Sequence, residues 1–202
     1  LEKQNLKHIA DEIIAIAGMK LNEESEFVNA FAEAYTRLVI YPSRSLMRLS
    51  DGEELAREQA RSRQINMAAT RQMIRLKHEG HIVLVFPSGT RYREGQPETK
   101  RGVKEVDSYL KSFDYVVFIG MAGNLLQVDP AGDMSKDLAT RDLVLLNASR
   151  PVHCGEFRDT AREHTPKDQD PKQCVADRVM EELAKVHNET ERERARRLSE
   201  GV

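Results

Sequence analysis

The sequence predicts an α/β fold: a mostly parallel central sheet flanked by helices on both faces. Three observations predict it. Short apolar runs of strand length recur along the chain, stripes of apolar residues at helical spacing lie between them, and Gly or Pro stands at the junctions. The runs are Leu38–Tyr41, Ile82–Phe86, Tyr115–Ile119 and Leu143–Leu146.

Taken in order, Ile9, Ile13 and Ile16 mark a short helix or helix-to-strand segment ending near Gly18. Phe27, Ala30, Phe31 and Ala34 repeat at helical spacing up to Tyr35. Leu38–Tyr41 reads as a buried strand stopped by Pro42, which cannot donate to a ladder. From Glu53 to Glu79 no proline interrupts a polar-rich run in which Ile65, Ala69, Met73 and Leu76 form one stripe. This is a long helix, closed by Gly80. The strand Ile82–Phe86 follows. Thr99 is placed to cap a helix running through Val103, Val106 and Leu110. Tyr115–Ile119 and Leu143–Leu146 are the remaining strands, and Asp170-Pro171 opens a last helix with Val175, Val179, Leu183 and Val186 on one side.

A chain of 202 residues suits one domain, expected over residues 1–190. Residues 191–202 form a charged helix end or tail. Its four arginines and two glutamates between Glu191 and Arg197 read as a solvated helix end, with contact to an anionic membrane surface as the alternative. Net charge is −2, and tryptophan is absent, so neither a broad basic face nor a stacking platform for nucleic acid is expected. Cys154 and Cys174 lack a CxxC spacing, and the histidines show no metal-binding pattern. No apolar run approaches the roughly 18 residues of a membrane span. The expected setting is cytoplasmic, with peripheral contact at the inner membrane face as a further expectation.

The chemistry concentrates after the second strand. Phe86-Pro87-Ser88-Gly89-Thr90-Arg91-Tyr92-Arg93 brings two arginines to the point where an apolar run empties into a turn, the position at which open α/β sheets hold ligands. Between Ser88 and Lys104 there are five basic residues (Arg91, Arg93, Lys100, Arg101 and Lys104) against two acidic ones, Glu94 and Glu98. Gly89 allows a close turn, and Ser88 and Thr90 add hydroxyls. An extended backbone puts Arg91 and Arg93 on one side and Tyr92 on the other, so both guanidinium forks can clasp one phosphate. The alternative is a charged surface turn whose arginines bind neighbouring carboxylates. No Walker spacing and no GxGxxG is present.

Tyr41-Pro42-Ser43-Arg44-Ser45 repeats the arrangement in smaller form. Arg44 either joins the same crevice or forms a surface salt bridge, and Arg48 is a spare cation. For a general base the sequence offers His8 with Asp11, His78 and His81 around Gly80, and His153 beside Cys154. None has a third group that would define a catalytic set.

Val85-Phe86-Pro87-Ser88-Gly89-Thr90-Arg91 resembles the phosphate-binding block of the glycerolipid acyltransferases, usually Phe-Pro-Glu-Gly-Thr-Arg. Ser88 in place of the glutamate, with Arg93 two residues beyond Arg91, is most similar to the soluble plastid-type glycerol-3-phosphate acyltransferases. Leu38–Arg44 and Lys100-Arg101-Gly102 resemble neighbouring blocks, although Ser45 stands where those enzymes carry a histidine. The stretch Val116–Gly120 is only loosely similar and lacks the family's proline. The similarity spans residues 9–146. It implies a glycerol-3-phosphate acyltransferase-like fold and acyl transfer from acyl-CoA or acyl carrier protein to a hydroxyl of glycerol 3-phosphate, without a cofactor.

Carried over residue by residue, the resemblance implies that Arg91, Arg93 and Arg44 hold the phosphate, that Ser88, Gly89 and Thr90 shape the turn, and that Lys100 and Arg101 assist. The family's general base lies in a His-x4-Asp element. None of the six histidines has an aspartate five positions on, so the element is expected upstream of Leu1, and the chain by itself is expected not to turn over. A 1-acylglycerol-3-phosphate acyltransferase and a non-catalytic phosphate- or phospholipid-binding domain are the alternatives.

Overall fold

A computed structural model describes residues 7–19, 36–46, 49, 52–93, 95–127, 129 and 136–201. The chain divides into two units, Leu1–Phe86 and Pro87–Val202. The helix expected over Phe27–Tyr35 lies outside the described residues.

In the first unit, helix α1 (Lys7–Asp11) leads into strand β1 (Ile13–Gly18), followed by β2 (Arg37–Ile40), α2 (Ser43–Leu46), α3 (Glu53–His78) and β3 (Ile82–Leu84). The three strands pair in parallel in the order β2-β1-β3, with Ile16 opposite Leu38 and Ile13 opposite Ile82. Among the described residues β3 pairs on one side only. That edge position leaves Ile82 49% exposed, and the strand stops at Leu84, short of the Phe86 expected from the apolar run. Helix α3 carries Glu53 and Glu54 in its first turn and Arg75, Lys77 and His78 in its last, matching its dipole. It packs on β2 and β3, and Ala69, Met73 and Leu76 are buried along its stripe, as are Ile14 of β1 and Leu38 of β2.

One side chain ties α3 to the end of β2. Asn66 Oδ1 accepts from the Tyr41 N–H at 2.8 Å, and Asn66 Nδ2 donates to the Tyr41 carbonyl at 3.0 Å. Both main-chain groups of the residue preceding Pro42 are thereby satisfied. Asn66→Ala is expected to cost about 2 kcal/mol by stranding them, read as a lowered urea midpoint. An unchanged midpoint would show that water replaces the amide at no cost.

The second unit starts with a 3₁₀ turn at Pro97–Lys100 and helix α4 (Val106–Ser112). Strands β4 (Tyr115–Val116), β5 (Ile119–Ala122) and β6 (Leu126–Gln127) then run out, and β7 (Leu138–Ala139), β8 (Leu145–Ala148) and β9 (Val152–His153) run back. Helices α5 (Cys154–Glu163) and α6 (Pro171–Ser199) complete it. The pairs β4-β9, β5-β8 and β6-β7 are all antiparallel and nested, so the segment is one long ribbon interrupted twice.

These pairings correct the expected fold class. Among the described residues there is one three-stranded parallel sheet and three two-stranded antiparallel ones, not a single mostly parallel sheet with helices on both faces. Parallel neighbours need a crossover, usually helical, whereas antiparallel neighbours need only a return of the chain. Between β5 and β8 the described residues form the β6-β7 pair and no crossover helix.

Two further expectations change for local reasons. The run Tyr115–Ile119 is split between β4 and β5 at Val117-Phe118. There the Ser149 hydroxyl accepts the Phe118 N–H at 3.0 Å, and Phe118 turns into the core at 4% exposure. Thr99 does not cap the following helix: its hydroxyl closes the 3₁₀ turn by donating to the Gln96 carbonyl at 2.6 Å.

Helix α6 organises this unit. The Asp170 side chain caps it by accepting from the Lys172 N–H at 2.9 Å, and Pro171 occupies the first turn. Val175, Val179 and Val186 are buried with Val106, Leu110 and Phe118 in one core. Its charged end is laddered: Arg196 and Arg197 hydrogen bonds hold the exposed Glu193 carboxyl down at about 2. Arg194 instead turns back to the ribbon, donating to the Leu143 carbonyl at 2.9 Å and to Asp142. Strand β5 alternates as a half-buried strand should, with Gly120 and Ala122 buried and Ile119 and Met121 exposed. No described helix is long and apolar enough to cross a membrane.

Candidate functional site

The turn after β3 is shaped by Gly89, whose φ of 62° lies in the left-handed region that glycine adopts without a Cβ penalty. Ser88 Oγ donates to the Thr90 carbonyl at 2.8 Å, and Thr90 Oγ1 points toward the Arg91 carbonyl at 3.5 Å. Both hydroxyls are folded back on the turn itself. The Val103 N–H donates to the Pro87 carbonyl at 2.8 Å and clamps its base.

Beyond the turn exposure alternates as in an extended segment: Arg91 and Arg93 are half-buried and Tyr92 is exposed. Arg93 is held from both sides. Its N–H donates to Thr99 Oγ1 at 3.0 Å, and its carbonyl accepts from the Gln96 N–H at 3.1 Å. Its Nε is buried and has no hydrogen-bond partner among the described residues. Arg91, by contrast, donates to Asp137 Oδ2, whose side chain is 8% exposed. The other Asp137 oxygen accepts from the Asp129 N–H at 3.0 Å.

Two of the remaining cations of the segment have partners of their own. Lys100 Nζ lies 4.2 Å from the centre of the Tyr92 ring, a cation–π contact, and Arg101 Nε lies 3.6 Å from Asp177 Oδ1. Gly102 is pressed against α6, where an added Cβ would meet the Ala176 carbonyl and Met180 Cγ at 3.0 Å. Arg91, Arg93, Lys100 and Arg101 thus fall in one short segment of the second unit. Arg44 lies on α2 of the first unit, and Arg48 is outside the described residues.

The acid–base candidates have structural roles or open surroundings. His153 Nδ1 accepts the Glu156 N–H at 3.3 Å and so caps α5, while the neighbouring Cys154 is 0% exposed in the core. His8 and Asp11 are exposed on α1. Burial, and then the Glu105 carboxylate, pushes the Tyr109 phenol up to about 12, so it stays protonated at neutral pH. His81 Nδ1 sits 2.7 Å from Glu12 Oε2. The β1-β3 register explains that pair, since Ile13 opposite Ile82 sets Glu12 beside His81. Sequence separation hid it. Among the described residues no group of three or more His, Cys, Asp or Glu side chains is placed to hold a metal ion.

Of the two residues that meet these arginines, Thr99 was expected to cap a helix instead, and Asp137 escaped the sequence reading. Thr99 carries the Arg93 amide, and the excess of hydroxyls in the segment was the only local signal for it. Asp137, which meets Arg91 from 46 positions away, gave no local signal at all. No protein-family model matches the chain, and neither a curated protein nor a solved structure matches it.

Proposed function

We propose that the Ser88–Arg93 turn binds the phosphate of glycerol 3-phosphate and serves acyl transfer to a hydroxyl of that acceptor. The observation that carries the reading is the buried Arg93 Nε, two residues beyond Arg91, which has no hydrogen-bond partner among the described residues. A buried guanidinium N–H without an acceptor costs free energy, and a phosphate oxygen supplies the acceptor. The resemblance of residues 85–91 to the acyltransferase phosphate block supports the choice of ligand.

In this reading the arginines position rather than react. Fixing the phosphate holds the acceptor hydroxyl at the thioester carbonyl of acyl-CoA or acyl carrier protein. The hydroxyl oxygen forms the ester bond as the carbon–sulfur bond breaks. The hydroxyl proton passes to a general base, a histidine in the family resembled, and then to the leaving thiolate.

Calorimetric titration with glycerol 3-phosphate tests this. Arg93→Ala is expected to weaken binding by at least about tenfold, and Arg91→Ala comparably, with glycerol not binding. Equal affinity in wild type and both variants would reject the site. One observation favours a second reading: Arg91 already carries a carboxylate, which would make the turn a structural tie without ligand. Absence of binding in wild type would select it. Lysophosphatidate presents the same phosphate, so tighter binding of that acceptor than of glycerol 3-phosphate would move the function to the second acylation.

A further inference from the structure

The Arg91–Asp137 contact carries an inference that rests on the phosphate reading of the turn. We propose that Asp137 occupies the anion position of the Ser88–Arg93 turn when no ligand is bound, so that an incoming phosphate binds by displacing it.

The Asp137 carboxylate is 8% exposed, with one oxygen on Arg91 Nη1 and the other on the Asp129 N–H at 3.0 Å. It therefore stands where a phosphate oxygen would stand on Arg91. Arg91 is 36% exposed at its side chain, so its fork is reachable from solvent, and Arg93 Nε, two residues along the chain, has no partner among the described residues. A carboxylate brings one charge, and Asp137 places it on Arg91. A phosphomonoester brings about −1.5 to −2 charge at pH 7 and three acceptor oxygens, enough for both forks.

Tethering decides the competition. A carboxylate held in the same fold competes at an effective concentration on the order of millimolar, without losing translational freedom. Any phosphate must displace it against that advantage, and a phosphodiester does so with only the same single charge as Asp137. A dianion gains from the second guanidinium and from its larger charge, and the released carboxylate swings toward water, away from like charge. Dianion binding also frees the Asp129 N–H from its acceptor.

The test uses the full chain at pH 7.5 with glycerol 3-phosphate and dimethyl phosphate as probes. Asp137→Asn keeps the shape and an acceptor for the Asp129 N–H but removes the charge. Wild type is expected to bind glycerol 3-phosphate far more tightly than dimethyl phosphate. In Asp137→Asn both should bind about tenfold more tightly and by the same factor, because the tethered competitor is removed for both alike. In wild type, saturating glycerol 3-phosphate should speed hydrogen exchange at the Asp129 amide. Unchanged affinities in Asp137→Asn, with Arg93→Ala still weakening binding, would overturn the competition and leave the phosphate site standing. Weaker binding in Asp137→Asn would overturn it too, making Asp137 an orienting partner of Arg91. Should Asp137→Asn fail to fold, an Asp129 amide that exchanges equally with and without ligand in wild type overturns the inference. No binding of either probe to wild type or Asp137→Asn would overturn the inference and the phosphate reading together.

Discussion

Replacing Gly120 with alanine is expected to destabilise the second unit by about 3 kcal/mol, the upper end of what overpacking costs in a dense interior. The added Cβ would sit 2.7 Å from the His187 nitrogen and the Val186 carbonyl carbon, and 2.8 Å from the Val186 oxygen. All three are main-chain atoms of α6, so no side chain can rotate away. Either β5 or the helix must shift. Such a shift also disturbs the adjacent bond between His187 Nδ1 and the Met121 carbonyl, 2.8 Å long. Ala122, two residues along the same buried face, is 1% exposed, so the strand is packed tightly at that position as well. Urea denaturation followed by circular dichroism reads the effect as a lowered midpoint with an unchanged slope. A Gly120→Ala protein with the wild-type midpoint would show that the strand and helix separate at no cost.

Asp107→Ala is expected to cost about 3–5 kcal/mol, because it leaves buried positive charge without its counter-ion. Asp107 on α4 is 2% exposed. Its Oδ1 accepts from Arg158 Nε and Arg162 Nη2 at 3.0 Å, and its Oδ2 accepts from Arg162 Nη2 at 2.8 Å, joining α4 to α5. Arg162, 38% exposed at its side chain, can turn to water, whereas Arg158 at 13% cannot do so without breaking the packing of α5. The penalty therefore resides mainly in Arg158. Adding Arg158→Met to Asp107→Ala should recover a large part of the loss, since a well-packed apolar side chain replaces a buried ion without a desolvation penalty. If the double variant is no more stable than Asp107→Ala, the cost lies in lost packing rather than stranded charge.

How far the chain could be read residue by residue depended on the range of the interactions involved. The stripe Ala69, Met73 and Leu76 on α3 follows from a 3.6-residue period, and so does the row Val175, Val179 and Val186 on α6. Both helices occur with ends close to the expected ones, because capping and charge at helix ends are local: Asp170-Pro171 starts α6, and Glu53-Glu54 and Lys77-His78 flank α3. The apolar runs were recognised as strand material too, but not their partners. Tyr115–Ile119 and Leu143–Leu146 carry no mark of direction, and the expected parallel sheet gave way to an antiparallel ribbon in which Met121 faces Leu146. The missing crossover helix between those runs was the available hint.

The candidate site divides in the same way. Gly89 at a positive φ and the alternation of Arg91, Tyr92 and Arg93 are properties of a few consecutive residues, set by backbone sterics and the two-residue period of an extended chain. From these the sequence by itself determined a tight glycine turn followed by two arginines on one side. What those arginines meet was decided only in three dimensions. Asp137 reaches Arg91 across 46 positions, Thr99 holds the Arg93 amide, and Glu12 stands beside His81 through strand pairing. Such contacts form when distant segments are packed together, and the side chains that make them leave no periodicity along the chain. Local sterics therefore shaped the turn, while tertiary packing chose its partners.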